Sequence, residues 1–258
     1  MAVTVAVFNQ KGGVGKTALT LGLASAARAQ AHPTLVVDLD PQASATWTLG
    51  IDPEDSHPSV ADVLSANRDG AAAPVISPSG WGEHVHGLPS APTLAEREFD
   101  GGRARPEHRL RRALTGVTDA YRTVLIDCPP SLGLTARTAL TAADYVLLVV
   151  EPSAYSNRGV AAVLDAIDEV WDRHNRDLDI AGVVVNRMPP TGNEARDRLA
   201  EVKSIMGARA VFAPPVPTRA LINEALGDGR AIHDYGYRGR TVAAVFDQLY
   251  ARLQRVIR

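Results

Sequence analysis

The sequence is short of cysteine and of long apolar runs, and each absence excludes a class of protein. Its 258 residues include one cysteine, Cys128, which excludes an internal disulfide framework and is typical of a reducing compartment. Apolar runs such as residues 146–150 are far shorter than the roughly 20 residues that a membrane-spanning helix needs. No basic segment precedes the apolar N-terminal stretch, as it would in a secretory signal. We therefore expect a cytoplasmic protein without a membrane partner.

Lysine is also scarce. The 27 basic side chains comprise 24 arginines and three lysines, and two of those lysines, Lys11 and Lys16, lie five residues apart in one glycine-rich loop. An excess of arginine is typical of codon usage in a GC-rich genome. Codon usage does not explain why two of the three lysines fall in the same loop.

Charge is divided along the chain although its sum is small. The net charge of −2 argues against an acidic tail or a histone-like composition. Residues 187–258 nevertheless carry a net +5, and residues 1–186 a net −7. A basic segment of this kind is either a polyanion-binding face or ordinary solvated helix surface, and composition alone does not choose between them.

Short apolar segments alternate with segments of helical periodicity. The strand-like segments are residues 3–8, 34–38, 122–127, 144–150 and 179–185, and the helical patterns include 16–30, 157–174 and 194–206. This alternation predicts an α/β fold, with a mostly parallel twisted sheet covered by helices on both faces. Residues 67–106 are the least regular stretch, and we expect them to form a surface excursion. Because the flanking strands fit one sheet, residues 1–258 are predicted to form a single domain.

The segment Lys-Gly-Gly-Val-Gly-Lys-Thr at residues 11–17 lies between a predicted strand and a predicted helix, which is the context of a phosphate-binding loop. Glycines allow a tight turn that brings backbone N–H groups to phosphate oxygens, and the helix adds its positive N-terminal end. Lys16 can reach the β- and γ-phosphates, and Thr17 can ligate Mg²⁺. Gln10 stands where the usual pattern has glycine, so the loop is a variant. The predicted nucleotide contacts in it are Gly12, Gly13, Val14, Gly15, Lys16, Thr17 and Ala18.

Two acidic residues follow predicted strands. Asp127 ends an apolar run, where a carboxylate that supports Mg²⁺ is expected, and Asp40 follows the strand at residues 34–38. Strand ends at one edge of a parallel sheet converge on the phosphate loop. Both carboxylates are therefore predicted to lie within reach of the γ-phosphate.

At three places the sequence resembles ParA-type partition ATPases. Residues 8–17 (FNQKGGVGKT) resemble the deviant Walker A box of that family. Residues 37–42 (VDLDPQ), with Ala45 and Thr46, resemble its second box, and residues 125–133 (LIDCPPSLG) resemble its Walker B segment. Residues 216–225 are similar to a weaker C-terminal segment. The matches extend from residue 5 to about residue 235.

The resemblance implies a nucleotide site and a dimer. Family members bind ATP and Mg²⁺ and close into a nucleotide-sandwich homodimer. By resemblance, Lys11 reaches the partner's phosphates and Lys16 its own nucleotide, while Asp40 positions the attacking water. Thr17 and Asp127 serve Mg²⁺, as the loop and the strand end already indicate. Asn186 falls where the adenine-contacting residue of the family follows a strand, and Pro217 lies near that base pocket.

The resemblance also implies a cycle on DNA. The ATP-bound dimer of the family binds DNA without sequence preference and associates with the nucleoid. A centromere-binding ParB-type partner then stimulates hydrolysis and releases it, which moves plasmid or chromosome cargo.

The sequence departs from the family at several points. Ala18 stands where the family usually has a second hydroxyl residue, and Leu221 stands where relatives often carry an arginine assigned to DNA contact. The phosphate loop begins at about residue 11, so we expect no N-terminal helix-turn-helix domain. The candidates for DNA contact in the basic segment are Arg196, Arg198, Arg219, Arg238 and Arg240.

Three other functions share this fold. A MinD-like membrane-cycling ATPase is one alternative, because residues 241–258 form an amphipathic pattern that is able to lie on a membrane. A positioning ATPase for non-DNA cargo is another, since the three boxes do not exclude it. A nitrogenase-reductase-like electron carrier needs two cysteines per subunit for its bridging cluster, and the single Cys128 excludes it.

Overall fold

A seven-stranded sheet forms the centre of the computed structural model, which describes residues 2–52, 58–99, 105–152, 156–190 and 192–257. Within these ranges the strands are β1 (Val3–Phe8), β2 (Thr34–Asp38), β3 (Ser77–Pro78), β4 (Val85–Leu88), β5 (Thr123–Asp127), β6 (Tyr145–Val150) and β7 (Asp179–Val185). The α-helices are α1 (Lys16–Ala29), α2 (Ser44–Thr48), α3 (Val60–Ala66), α4 (Arg109–Leu114), α5 (Leu134–Ala142), α6 (Ser156–Arg173), α7 (Asn193–Met206), α8 (Ala220–Gly227) and α9 (Gly236–Val256).

The strand order is β3-β4-β2-β5-β1-β6-β7, and every pairing except that of β3 with β4 is parallel. β1 therefore lies between two strands that come much later in the chain. Parallel register places Asp127 beside Val7 on one side and beside Asp38 on the other. The carboxyl ends of the strands meet at one edge of the sheet, where an open α/β sheet binds its ligands.

Alternate residues of the strands belong to two apolar clusters on opposite faces of the sheet. In β1, Ala6 and Phe8 pack with α3, α4, α5 and α6, whereas Val5 and Val7 pack with α1, α8 and α9. Strands covered on both faces read as continuous apolar runs, which is why the sequence identifies them clearly. The predicted α/β fold with a mostly parallel sheet is confirmed, and its strand-like segments match β1, β2, β5, β6 and β7 within one residue at each end.

The expectation for residues 67–106 is wrong in part. This stretch contributes β3 and β4, and β4 pairs with β2 inside the sheet instead of lying on the surface. The sequence of β4, Val-His-Gly-Leu, has a glycine in its centre and no long apolar run. A side chain at Gly87 would press on the ends of the Ile51 and Leu49 side chains, so close packing favours glycine here, which the sequence pattern does not show.

Helix α9 covers one face of the sheet by packing on α1. Its buried positions include Val242, Phe246, Leu249 and Leu253, which form the apolar stripe seen in the sequence. The Phe246 ring occupies the space that a side chain at Gly22 of α1 would need. The amphipathic pattern is thus used for packing in this structure. Among the described residues, no helix is both long and apolar enough to span a membrane.

The contact between α1 and α9 predicts that Gly22→Ala destabilises the protein. The new methyl group would displace the fully buried Phe246 ring, and such overpacking costs roughly 1–3 kcal/mol, offset by about 1 kcal/mol of helix propensity. We expect the free energy of unfolding in urea to fall by up to about 2 kcal/mol. Gly227→Ala is the matched control, because nothing lies within 4 Å of its added carbon. Equal stability of the two variants would contradict the packing argument.

The single cysteine is predicted to be unreactive in the folded protein. Cys128 follows β5 and is 1% exposed. Burial, together with the adjacent Asp127, raises the pKa of its thiol far above the ordinary value. We expect no reaction with a disulfide reagent at pH 8 in buffer and one thiol per chain in denaturant. Stoichiometric labelling of native protein would show that the β5 end opens in solution.

Candidate functional site

The phosphate loop joins β1 to α1 and takes its shape from two glycines. Gly13 and Gly15 have φ values of +77° and +87°, a region that disfavours other residues. A side chain at Gly15 would also collide with the amide of Asn186, whose Nδ2 donates a 2.7 Å hydrogen bond to the Val14 carbonyl. The loop is therefore held from outside by the residue that follows β7.

Asn9 fixes the start of the loop. Its Nδ2 donates to the Val149 carbonyl of β6 at 2.5 Å, and its Oδ1 accepts the backbone N–H of Lys11 at 2.8 Å. A residue with one donor and one acceptor end is able to make both bonds at once. The loop thus begins at a fixed position relative to β6.

Lys16 opens α1 and lies over the loop. It is 6% exposed, and its Nζ is 3.4 Å from the Lys11 carbonyl. Burial lowers the pKa of the Lys16 ammonium, and the charges of Asp127 and Asp40 oppose that shift. A buried ammonium with one weak hydrogen bond is well suited to a strongly anionic ligand.

Asp127 and Thr17 form a pair of hard oxygen groups below the loop. The Thr17 hydroxyl donates a 2.6 Å hydrogen bond to one carboxylate oxygen, and the Thr20 hydroxyl lies 3.4 Å from the other. Burial of Asp127 and the neighbouring Asp38 raise its pKa, whereas Thr17 and Lys16 act in the opposite direction.

This donor set fits Mg²⁺ shared with a nucleotide. Mg²⁺ prefers hard oxygens, and it is usually held by one or two protein groups together with phosphates and water. Within the described ranges no group of three or more His, Cys, Asp or Glu side chains is placed to hold a metal ion. Thr17, with Asp127 behind it, is therefore suited to a metal that a phosphate chain helps to bind.

Asp38, which was not among the predicted site residues, organises the loop that presents Asp40. One Asp38 oxygen accepts both the N–H and the hydroxyl of Thr46, at 2.8 and 2.7 Å, and the other accepts the Asp40 N–H at 3.0 Å. Burial raises the pKa of Asp38, and these hydrogen bonds counteract the shift. Asp40 itself accepts the Gln42 N–H at 2.9 Å. The sequence signal was available, since Asp38 ends a strand two residues before Asp40.

One cleft collects most of the predicted nucleotide contacts. Its walls come from the phosphate loop, the end of β2 and the segment after β7. Backbone hydrogen bonds from Val216 to Val185 and from Thr218 to Met188 carry Pro217 to the cleft. The predicted residues that line it are Gly13, Gly15, Lys16, Thr17, Ala18, Asp40, Asn186 and Pro217. Residues that the prediction did not assign to a nucleotide site also line it, namely Pro130, Arg187, Thr218, Arg219, Ile222, Asn223 and Leu226.

Four predicted site residues lie outside this cleft lining. Val14 is buried in the core and contributes its carbonyl to Asn186, and Asp127 is buried behind Thr17. Gly12 lies next to Pro130. The Lys11 side chain is 54% exposed, and its Nζ lies 3.4 Å from Glu151. The two loop lysines thus have different surroundings.

The candidate DNA-contacting arginines are spread over α7, α8 and α9. Arg196 and Arg240 are exposed, and Arg219 is exposed at the start of α8 beside the cleft. Arg198 forms an ion pair with Glu201, and Arg238 forms one with Glu224 at 2.9 Å. The geometry brings only Arg219 to the predicted nucleotide site.

Known proteins are similar to this chain over most of its length. A family model described as an AAA domain matches residues 2–180. The sporulation initiation inhibitor protein Soj of Bacillus subtilis is 34% identical over 248 residues, which cover 96% of each chain. The chromosome partitioning protein ParA of Myxococcus xanthus is 31% identical over 92% of this chain and 82% of that protein.

A solved structure agrees over nearly the whole chain as well. Cobyrinic acid a,c-diamide synthase from Mycobacterium smegmatis, with bound ADP and magnesium, superposes with a TM-score of 0.83 and 31% identity, covering 99% of this chain and 95% of that one. The phosphate loop, the paired strand ends and these similarities agree with one another. The chain belongs to the ParA-type, Soj-like partition ATPases of the deviant Walker A superfamily.

Proposed function

We propose that this chain is an ATPase of DNA segregation, which dimerises around ATP, binds DNA in that state and is released by hydrolysis. The observation that carries the proposal is the contrast between the two loop lysines. Lys16 is buried over the loop, where it serves the nucleotide of its own subunit. Lys11 is not part of the cleft lining and is half exposed, as a residue that serves a second subunit must be.

ATP binds in the cleft without a rearrangement of its lining residues. The loop N–H groups and the N-terminus of α1 contact the phosphates, and Lys16 neutralises the β- and γ-phosphates. Asn186, which lies next to the phosphate loop, and Pro217 also line the cleft, and they contact the base. Mg²⁺, when bound, neutralises phosphate charge, and Thr17 with Asp127 would hold it.

Hydrolysis needs an oriented water molecule and a stabilised leaving group. Asp40 lies in the cleft at the end of β2, with its carboxylate fixed by Gln42, and it orients the attacking water. Lys11 of the second subunit adds positive charge at the phosphates only in the dimer. ATP therefore shifts the population toward the dimer because Lys11 gains a phosphate partner only there.

DNA binding follows from dimerisation. A dimer doubles the number of arginines that one particle presents to phosphates, which makes affinity for DNA dependent on nucleotide and on salt. The exposed Arg196, Arg219 and Arg240 support a face of this kind in the basic segment. A ParB-type partner that orders the site would accelerate hydrolysis and release a nucleoid-associated, cytoplasmic dimer. We further propose that residues 1–258 act as one domain.

The MinD-like alternative is less well supported. Its membrane contact would require the apolar stripe of residues 241–258, and the stripe residues Val242, Phe246, Leu249 and Leu253 are buried against the rest of the chain. Exposing them to a lipid surface would remove a large part of the apolar cluster on that face of the sheet. A positioning ATPase for other cargo uses the same nucleotide site and differs only in the ligand of the dimer.

We predict that alanine substitutions of the two lysines impair different steps. Lys16→Ala removes the cation over the loop, and we expect ATP affinity to fall by at least tenfold in a fluorescent-nucleotide titration. Lys11→Ala should leave ATP binding by the monomer within about twofold and abolish ATP-dependent dimerisation in light scattering. If the two variants behave alike in both measurements, the division of roles is wrong.

Gel retardation of DNA in ATP, ADP and no nucleotide, across a salt series, tests the proposed function. We expect tighter binding and a steeper dependence on salt with ATP, because the dimer displaces more counterions. Arg240→Ala should flatten the slope of log affinity against log salt by about one unit for each arginine lost. Arg176→Ala, an exposed arginine outside the basic segment, is the control. DNA binding that is indifferent to nucleotide would exclude the proposed cycle.

A further inference from the structure

Glu151 joins two cations at the rim of the nucleotide cleft. One oxygen lies 3.4 Å from Lys11 Nζ, and the other accepts a 2.8 Å hydrogen bond from Arg187 Nη1. The three residues follow β1, β6 and β7, which are neighbours in the sheet, so their side chains meet where the strands end. The steps described above for ATP binding and hydrolysis do not involve Glu151.

Hydrogen bonds to the β6 backbone fix the segments that surround Glu151. Asn9 ties the start of the phosphate loop to β6 through Val149, and the Asn186 N–H donates to the Val150 carbonyl at 2.8 Å. The segments that carry Lys11 and Arg187 are thus both attached to β6, the strand that precedes Glu151. Its side chain is 18% exposed, whereas that of Lys11 is 54% exposed. The anion is the fixed member of the pair, and Lys11 is the member free to leave.

We propose that Glu151 is a positioning residue that holds Lys11 on its own subunit and thereby sets the ATP concentration at which two subunits close into a dimer. The inference rests on the proposed function, since it assigns Lys11 to the nucleotide of the second subunit. A carboxylate and a phosphate are alternative partners for one ammonium group. Lys11 must leave Glu151 before it reaches across, so the ion pair opposes closure.

The effect of the Lys11–Glu151 ion pair on closure is doubled in free energy because a dimer contains two such pairs. A solvent-screened ion pair is worth about a 1.4- to fivefold factor in an equilibrium constant. Two subunits each release one pair on closure, so the factors multiply to about two- to 25-fold in the dimer dissociation constant. Arg187 remains beside Glu151 when Lys11 leaves, and it prevents the carboxylate from becoming an unpaired charge.

The first experiment tests the pair without nucleotide. Lys11, Lys16 and Lys203 are the lysines of the chain, so acylation by a limiting reagent is resolved residue by residue in a mass spectrometer. Lys203 is exposed and serves as the internal reference. An ion-paired lysine reacts more slowly than a free one, so Glu151→Gln should raise the Lys11 to Lys203 labelling ratio about 1.4- to fivefold. An unchanged ratio would overturn the proposal.

The second experiment measures closure. Dimerisation is followed by sedimentation in a slowly hydrolysed ATP analogue, and monomer affinity for the same analogue is measured in the Lys11→Ala background. Glu151→Gln should tighten the dimer about two- to 25-fold and leave monomer affinity within twofold. Glu169→Gln is the matched control, because it removes an exposed pair of the same 3.4 Å length with Arg173 on α6. An equal or weaker Glu151→Gln dimer would overturn the proposal.

The two arms separate failure of this inference from failure of the proposed function. Wild-type protein that stays monomeric with the analogue would overturn the proposed function, and the labelling ratio would then decide alone whether Glu151 holds Lys11. Thermal unfolding of each variant checks that it is folded. If Glu151→Gln does not fold, Glu151→Asp keeps the charge and shortens the reach by one methylene group, and both readouts should change in the same direction.

Discussion

The pairing of β1 with β5 on one side and with β6 on the other decides where the groups of the cleft lie. It places Asp127 under the phosphate loop and Val149 beside Asn9, while the next strand outward brings Asn186 against Gly15. Each of these contacts joins residues more than a hundred positions apart in the sequence. The loop has residues suited to binding phosphate, and the parallel strand pairing brings the residues around it into place.

The charged side chains in this region form two groups, one buried and held by hydrogen bonds and the other partly exposed at the rim. Asp38 has three hydrogen-bond donors, and Asp127 has two hydroxyls nearby, so the inner carboxylates are buried but supported. Breaking such a network leaves an uncompensated buried charge, which is costly. Lys11 and Glu151 lie at the rim, where solvent screens their interaction. The inner groups are suited to hold a ligand in one geometry, whereas the rim groups are suited to exchange partners.

Sequence reasoning identified what local pattern encodes. The five long strands were apolar runs buried on both faces, and the residues of the phosphate loop are marked by glycine and lysine spacing, so both were predictable. It missed β4, because a glycine packed against Ile51 interrupts the apolar pattern of that strand. It also missed Glu151 and Arg187, whose importance depends on which strands are neighbours. Strand order is a long-range property that no window of sequence contains.

The strand order has a consequence for synthesis of the protein. The phosphate loop is complete once residue 17 leaves the ribosome, yet its two flanking strands end at Asp127 and Val150, and Pro217 comes later still. At roughly 5–20 residues per second, the loop waits on the order of ten seconds before its neighbours exist. During that interval β1 is an apolar segment with both edges unpaired, which is a form prone to association with other chains. The phosphate loop is therefore synthesised well before the residues that make it functional, and β1 pairs with its neighbours only after most of the sheet has been made.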